Sequence, residues 1–110
     1  MAHLRDGLRA CDTNSHGWQL GEHGEWGKFT NFELGTRIPL IISLPPSLHP
    51  NPGTVSSALV EEIDIFPTLL DAVGLPPPPQ RLHGASLMPL MHEPARVSFK
   101  ANASFSQYPR

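Results

Sequence analysis

The clearest hydrophobic pattern along the chain is a compact aliphatic run at residues 38–44, which ends at Pro45 and Pro46. A run of this kind, without polar alternation, is typical of a strand that is buried on both faces. The two prolines stop it, because proline cannot continue a ladder of backbone hydrogen bonds. We therefore predict a short buried strand here, followed by a turn-rich connection over residues 45–56.

A second pattern follows that connection, where apolar side chains recur at helical spacing. Pro67 would break the interior of a helix, so we place it in the first turn of a helix over about residues 66–73. Asp64 or Ile65 is expected near the start of this helix, and Gly74 is expected as its C-cap.

We expect the aliphatic run and the helix to supply the hydrophobic packing. Residues 1–12 show no convincing apolar face and are expected to form a frayed arm, and residues 13–36 are rich in loops. The positions assigned to the core are Ile38, Leu40, Ile41, Ile42, Phe66, Leu69, Leu70 and Val73.

The chemistry-bearing side chains concentrate in residues 16–28, whose sequence is HGWQLGEHGEWGK. This run contains two imidazoles, two carboxylates, two indoles and a lysine. Glycines spaced three or four positions apart let the backbone adopt positive φ and approach other groups closely. We therefore predict a folded loop that forms a site, with its glycines at Gly17, Gly21, Gly24 and Gly27.

Composition limits the classes of function. Eight basic and ten acidic residues give a formal charge of −2 without a basic cluster, which leaves no electrostatic footprint for nucleic acid or for an anionic membrane surface. The longest near-apolar stretch, residues 38–46, is far shorter than the roughly 20 residues of a membrane span. Cys11 is the only cysteine, so no internal disulfide can form.

The length of 110 residues allows one domain at most, and its thirteen prolines and nine glycines leave room for few long regular elements. The N-terminal residues 1–13 are polar and charged where a secretory signal would have an apolar segment, so no signal peptide is expected in this sequence. Asn102 begins an Asn-Ala-Ser sequon and is a candidate glycosylation site.

A zinc site of the H-E-x-x-H kind is not favoured within residues 16–28. His16 and His23 lie seven positions apart with glycines between them, which gives no pair on one helical face. We expect Glu22, His23 and Glu25 to form hydrogen bonds that hold the shape of the loop.

Several residues have an ordinary structural interpretation beside a functional one. Trp18 and Trp26 are interpreted as packing anchors, with stacking against a sugar as the alternative. Arg37 is expected to fix the loop to the strand through a hydrogen bond or an ion pair, with an isolated surface position as the alternative. By default, Lys28 would be a solvated surface lysine and His16 a loop histidine bonded to a backbone carbonyl.

Segments in chain order resemble the sulfatases of the alkaline-phosphatase-like fold, and most closely the iduronate 2-sulfatase subgroup. Residues 16–28 resemble that subgroup's active-site segment, and residues 36–42 (TRIPLII) resemble the strand that follows it. Residues 63–78 resemble the next helix with its proline exit, and residues 83–90 and 105–110 resemble segments further on. The first run is the most specific of these.

The resemblance covers residues 13–110 and leaves residues 1–12 as a non-matching N-terminal arm. It implies an α/β fold, namely part of the alkaline-phosphatase-like sulfatase fold with an incomplete sheet and loop-rich segments. It also implies a sulfated sugar as substrate, calcium as the metal of the family, and a lysosomal or secretory location.

By resemblance, Lys28 contacts the sulfate, and His16 falls on a position of the metal site. Where the family has the aspartate of that site, this chain has Ser15, and a neutral hydroxyl is a poor substitute for an anionic calcium ligand. Asp12 would need a different loop path to replace it. The aliphatic strand that precedes this segment in the family is expected to be missing.

The family's nucleophile is a formylglycine made from the cysteine of a C-x-P-S-R motif, whereas Cys11 is followed by Asp12 and Thr13. We therefore interpret the sequence as a C-terminal sulfatase fragment that does not hydrolyse sulfate esters as an isolated chain. The alternative is a non-catalytic module that binds sulfated glycans or another partner. A third possibility is a poorly folded product without a function.

Overall fold

A computed structural model describes residues 11–13, 16–48, 51–96 and 99–107. The chain divides into two compact units, of which the first contains residues 1–45 and 106–110 and the second contains residues 46–105.

The described part of the first unit contains two antiparallel sheets of two strands each and one short helix. In one sheet, β1 pairs with β4 so that Cys11 lies opposite Ile42, and in the other sheet β2 pairs with β3. The elements are β1 (Cys11–Thr13), β2 (Gln19–Leu20), β3 (Trp26–Gly27), α1 (Glu33–Thr36) and β4 (Leu40–Ile42).

Strand β1 corrects the prediction of a frayed arm at its last two residues. Its sequence is Cys-Asp-Thr, so the strand that precedes the loop is not an aliphatic one. Residues 11–13 form a paired strand, while residues 1–10 lie outside the described residues. The predicted burial of β4 on both faces is wrong as well, since Ile41 is 62% exposed. A strand in a two-stranded antiparallel sheet can leave one face in contact with solvent, unlike a strand in a parallel sheet covered on both sides.

The described part of the second unit contains a 3-10 turn and two helices. The predicted helix is confirmed as α2 (Ile65–Ala72), with Asp64 as its N-cap and Pro67 in its first turn. The other elements are the turn at Glu62–Asp64 and α3 (Met88–His92).

The C-terminus of α2 forms a Schellman motif. Gly74 adopts a φ of 69°, which is the left-handed conformation that glycine takes without steric cost. The Leu75 N–H donates to the Leu70 carbonyl at 2.9 Å, and the Gly74 N–H donates to the Asp71 carbonyl at 3.1 Å. The predicted glycine C-cap is therefore confirmed, because these bonds satisfy carbonyls that the helix itself leaves without a partner.

The core of the second unit differs from the predicted one. Phe66 and Val73 are each 51% exposed, whereas Thr68 and Ala72, four positions apart on one face of α2, are buried. The polar Thr68 faces inward because its hydroxyl donates to the Asp64 carbonyl at 2.5 Å and accepts the Leu87 N–H at 2.8 Å. The buried hydrophobic side chains of this unit are Ala72, Leu87, Leu90, Met91 and Phe99.

A fully buried carboxylate, that of Asp64, joins three segments that are distant in sequence. Its Oδ1 accepts the Ala85 N–H at 2.8 Å and the Lys100 ammonium at 2.9 Å, and its Oδ2 accepts the Glu61 N–H at 2.9 Å. We call Asp64, Glu61 and Lys100 the Asp64 cluster. The sequence predicts only a capping role for Asp64, whereas in the structure its side chain accepts three hydrogen bonds and its backbone carbonyl accepts a fourth, from Thr68.

Glu61 is the second carboxylate of this cluster. Its Oε2 accepts Lys100 Nζ at 2.6 Å, and its Oε1 accepts the Phe105 N–H at 2.8 Å. The bond from Lys100, followed by that from Phe105, lowers the pKa of Glu61 below its ordinary value of 4.5. Burial acts to lower the pKa of Lys100, but its bonds to Glu61 and Asp64 outweigh burial and raise that pKa above 10.5.

These shifts predict an acid-sensitive second unit. A carboxylate whose pKa is lowered by folding stabilises the protein above its unfolded pKa, and this contribution is lost as the pH falls through the folded value. We expect the free energy of unfolding, measured with urea from about pH 7 to 3, to fall below about pH 4.5. Glu61→Gln should cost about 1.5–3 kcal/mol at neutral pH and flatten this dependence. The exposed neighbour Glu62 is the control, and Glu62→Gln should retain the slope of the unsubstituted protein; equal slopes for all three proteins would contradict the assignment.

Candidate functional site

The loop predicted at residues 16–28 is a small hairpin. Strands β2 and β3 pair with Leu20 opposite Trp26, and a 3-10 turn at Glu22–Gly24 connects them. Gly21 and Gly24 adopt φ values of 117° and 71°, which confirms that the glycines are used for left-handed backbone. The sequence therefore predicts correctly a glycine-dependent folded loop, although not its two short strands.

Two further glycines bring α1 against both ends of this hairpin. The Gly17 N–H donates to the Gly35 carbonyl at 3.0 Å, and a Cβ at Gly17 would lie 1.8 Å from the Leu34 carbonyl oxygen. A Cβ at Gly35 would lie 3.4 Å from the carbonyl oxygen of Lys28. The α1 backbone therefore lies beside Gly17, which follows His16, and also beside Lys28.

The structure brings the two predicted site residues together. Lys28 Nζ donates a hydrogen bond to His16 Nε2, across twelve positions of sequence. His16 is exposed and Lys28 is half-buried, so the pair is accessible from solvent. An ammonium carries three N–H donors, of which this bond uses one. The arrangement can therefore present a positive charge and hydrogen-bond donors to an anion.

The described residues do not supply a calcium site at His16. Calcium takes six to eight oxygen ligands, whereas His16 offers a nitrogen that already accepts the Lys28 bond. Within the described ranges, no group of three or more His, Cys, Asp or Glu side chains is placed to hold a metal ion. Ser15, which replaces the expected aspartate, lies outside the described residues. The metal role of His16 stays a prediction that requires carboxylates from elsewhere.

Two side chains of the turn hold the hairpin as predicted. Glu22 Oε2 accepts the Leu20 N–H at 2.6 Å, and the pKa of Glu22 is lowered first by its own backbone N–H and then by that of Leu20. His23 Nδ1 is hydrogen-bonded to Gln19 Oε1 at 3.2 Å. Glu25 contributes through its backbone carbonyl, which accepts the Gly21 N–H at 3.0 Å.

Gln19 is the buried support of this arrangement, and its importance is not evident from the sequence. The side chain is fully buried, and its Nε2 has no hydrogen-bond partner among the residues that the structure describes. The bonded His23 ring stacks on Phe32, with the ring centroids 3.9 Å apart and the planes 7° from parallel. Gln19 is therefore hydrogen-bonded to one ring of an aromatic pair that is exposed at the protein surface.

A shallow groove of about 530 Å³ lies along α1, and we call it the α1 groove. Arg37 Nη1 donates to Glu33 Oε1 at 2.8 Å, and both side chains are largely exposed. Arg37 does form an ion pair, but within the turn of α1, which corrects the expected link from loop to strand. An exposed pair four residues apart contributes only about 0.3–0.5 kcal/mol. The groove is lined by His23, Phe32, Glu33, Leu34 and Arg37.

The two tryptophans are not the buried packing anchors that the sequence predicts. Trp18 is 57% exposed and Trp26 is 76% exposed. The Trp26 indole lies over Gly21, where a Cβ would be 3.5 Å from the ring. Exposed indoles on a glycine hairpin favour the alternative interpretation, in which an aromatic face is available to a ligand.

The candidate glycosylation site lies in a surface turn of the second unit. Asn102 is exposed and adopts a φ of 51°, and its N–H donates to the Phe99 carbonyl at 2.9 Å. Asparagine is one of the few side chains that tolerate this left-handed conformation. Glycosylation of Asn102 stays a prediction.

Comparison with known proteins gives consistent results. The family model "N-sulphoglucosamine sulphohydrolase, C-terminal" matches residues 21–109. Human iduronate 2-sulfatase is 40% identical over 90 residues, which cover 62% of this chain and 16% of that protein. Choline-sulfatase of Rhizobium meliloti is 34% identical over 103 residues, which cover 84% of this chain and 19% of that protein.

A solved structure of a protein in complex with its substrate D-glucosamine-2-N,6-O-disulfate is also similar to this chain. The two are 36% identical, with a TM-score of 0.67, and the match covers 78% of this chain and 17% of that one. The chain thus spans less than one fifth of the length of these relatives.

Proposed function

The chain belongs to the sulfatase family, in the C-terminal region described by its sulphohydrolase model, and from this premise we propose that the His16 and Lys28 pair binds the sulfate group of a sulfated sugar. The fold is the corresponding part of the α/β, alkaline-phosphatase-like sulfatase fold. A similar structure holds a glucosamine that carries two sulfates, which supports this class of ligand.

The observation that carries the proposal is the hydrogen bond from Lys28 to His16 at an accessible position. A lysine is a compact point charge on a flexible stem and suits an anion with several equivalent oxygens. The His16 contact orients the ammonium and leaves two of its N–H donors for sulfate oxygens. The exposed faces of Trp18 and Trp26, on the same hairpin segment, support a sugar ligand over free sulfate.

We assign to this chain the sulfate-binding wall of the site and not its nucleophile. Hydrolysis of a sulfate ester requires an activated nucleophile, and residues 1–110 contain no C-x-P-S-R run. The alternative function is a glycan-binding module without catalysis. It uses the same His16 and Lys28 pair, but no nucleophile takes part in it.

Substitution of the lysine tests the proposal. We expect Lys28→Ala to weaken the binding of glucosamine 6-sulfate about 10- to 100-fold in titration calorimetry, because each bond to a charged group contributes about 1.5–3 kcal/mol. Arg81→Ala removes an exposed cation from the other unit and should leave the affinity unchanged. Equal affinity of the Lys28→Ala and unsubstituted proteins would reject the proposal. The same samples, incubated with calcium and an aryl sulfate, should release no sulfate.

A lysosomal or secretory location is part of the same proposal, because the family resemblance implies it. In the described residues, no helix has both the length and the apolar character to span a bilayer.

A further inference from the structure

Residues 100–105 form a loop of the second unit that is anchored at both of its ends. At one end, Lys100 Nζ donates to Glu61 Oε2 at 2.6 Å and to Asp64 Oδ1 at 2.9 Å. At the other end, the Phe105 N–H donates to Glu61 Oε1 at 2.8 Å. Both carboxylate oxygens of Glu61 therefore hold this loop, and we call it the anchored loop.

The anchored loop begins with a tight turn at the protein surface. The Asn102 N–H donates to the Phe99 carbonyl at 2.9 Å, which closes a turn of four residues. Lys100 and Asn102 adopt φ values of 52° and 51° in this turn. Asparagine tolerates this left-handed conformation better than most residues, whereas lysine rarely adopts it. The bonds of Lys100 to two carboxylates hold its strained backbone in place.

The anchored loop contains the sequon Asn102-Ala103-Ser104, which is the only Asn-x-Ser/Thr sequence in the 110 residues. Both Asn102 and Ser104 are exposed. A sequon in a surface loop is a suitable acceptor for an N-linked glycan. Neither of these two residues supplies a donor to the bonds that the structure gives for the Asp64 cluster. A glycan on Asn102 would therefore leave those bonds in place.

We propose that Asn102 is N-glycosylated, and that the anchored loop carries the glycan while the Asp64 cluster stays intact. The donor is a lipid-linked oligosaccharide diphosphate. A bond forms between Asn102 Nδ2 and the anomeric carbon of the sugar, and the bond between that carbon and the phosphate oxygen breaks. The amide nitrogen loses a proton, and the lipid diphosphate leaves. The inference shares with the proposed function only the secretory location and does not depend on sulfate binding.

Expression of the full chain behind a secretory leader in cultured animal cells tests the acceptor. Treatment of the product with peptide N-glycosidase should lower its intact mass in mass spectrometry. Asn102→Gln removes the acceptor amide, and Ser104→Ala removes the sequon hydroxyl but retains the asparagine of the turn, so both should abolish this decrease. Asn31 is exposed but lies outside any sequon, and Asn31→Gln should retain it.

A chain that has lost its leader in the secretory lumen but carries no glycan overturns this inference alone, because sulfate binding is measured separately with Lys28→Ala. A mass decrease that persists in both sequon variants also overturns it.

The second part of the proposal is tested by comparing the glycosylated protein with Ser104→Ala, which lacks the glycan. Both should show the same fall in the free energy of unfolding on acidification, because the bonds of Glu61 to Lys100 and Phe105 remain. A glycosylated protein without this pH dependence, beside a Ser104→Ala protein that retains it, would show that the glycan opens the cluster.

Discussion

Asp64→Ala should destabilise the second unit by about 3–5 kcal/mol, the cost of breaking a buried charge pair by removing one partner. The substitution leaves Lys100 with a single carboxylate and removes the acceptor of the Ala85 and Glu61 N–H groups. Because small domains are stable by only about 5–15 kcal/mol, this loss is a large fraction of the total. Urea unfolding followed by circular dichroism measures it directly.

Two matched variants distinguish the loss of the buried Asp64 charge from the loss of an ordinary acidic side chain of the same helix. Asp71 also lies on α2, but it is exposed and accepts a single bond from Ser86 Oγ at 2.5 Å. We expect Asp71→Ala to cost no more than about 1 kcal/mol. Asp64→Asn keeps the shape of the side chain and should give an intermediate loss. A similar loss in Asp71→Ala and Asp64→Ala would show that the cluster has no special importance.

Gly17→Ala should disrupt the candidate site itself. The new Cβ would lie 1.8 Å from the Leu34 carbonyl oxygen, so either the loop or α1 must move. That movement breaks the Gly17 to Gly35 bond and takes the α1 backbone away from Lys28. We expect a destabilisation of about 1–3 kcal/mol from the overpacking and at least about a 10-fold loss of glucosamine 6-sulfate affinity.

The control for this variant is Gly24→Ala in the same hairpin. Gly24 has a φ of 71°, but a Cβ there would meet nothing within 4 Å. Gly24→Ala should therefore lower the free energy of unfolding only by the left-handed backbone strain of about 1–2 kcal/mol, and sulfate binding should persist. Circular dichroism and calorimetry on both variants distinguish the two mechanisms. Sulfate affinity retained by Gly17→Ala would contradict the role assigned to the contact with α1.

Features set by local backbone chemistry could be predicted from the sequence. Pro67 and Gly74 restrict where a helix can begin and end, and α2 lies within one residue of its predicted bounds. The glycines of residues 16–28 predict a folded loop, and positive φ is found at Gly21 and Gly24. In both cases the constraint acts on the residue itself or on its nearest neighbours.

Features that depend on distant partners could not be predicted. The exposure of Ile41 and Phe66 depends on what packs against β4 and α2, which hydrophobic spacing alone does not specify. Asp64 has the local pattern of a cap, but its contacts with Ala85 and Lys100 arise only when the chain folds. The buried Thr68 shows the same effect, because its inward position depends on a backbone partner 19 residues away.

The candidate site divides in the same way. The motif of residues 16–28 singles out His16 and Lys28, and the structure places them in contact. The α1 groove has no sequence signal, because a helix of four residues is too short to show a hydrophobic period. Its position depends on the contact of Gly17 with Leu34, which is a property of the folded unit.

The order of synthesis on the ribosome gives the Asp64 cluster a further consequence. Its bonds connect residues 61–64 with Ala85, Lys100 and Phe105, so the full set cannot form until residue 105 has left the exit tunnel. Until then α2, with eight residues, is too short to persist as an isolated helix. The nascent second unit therefore lacks the complete Asp64 cluster until the chain has been synthesised as far as Phe105, the last residue of that unit.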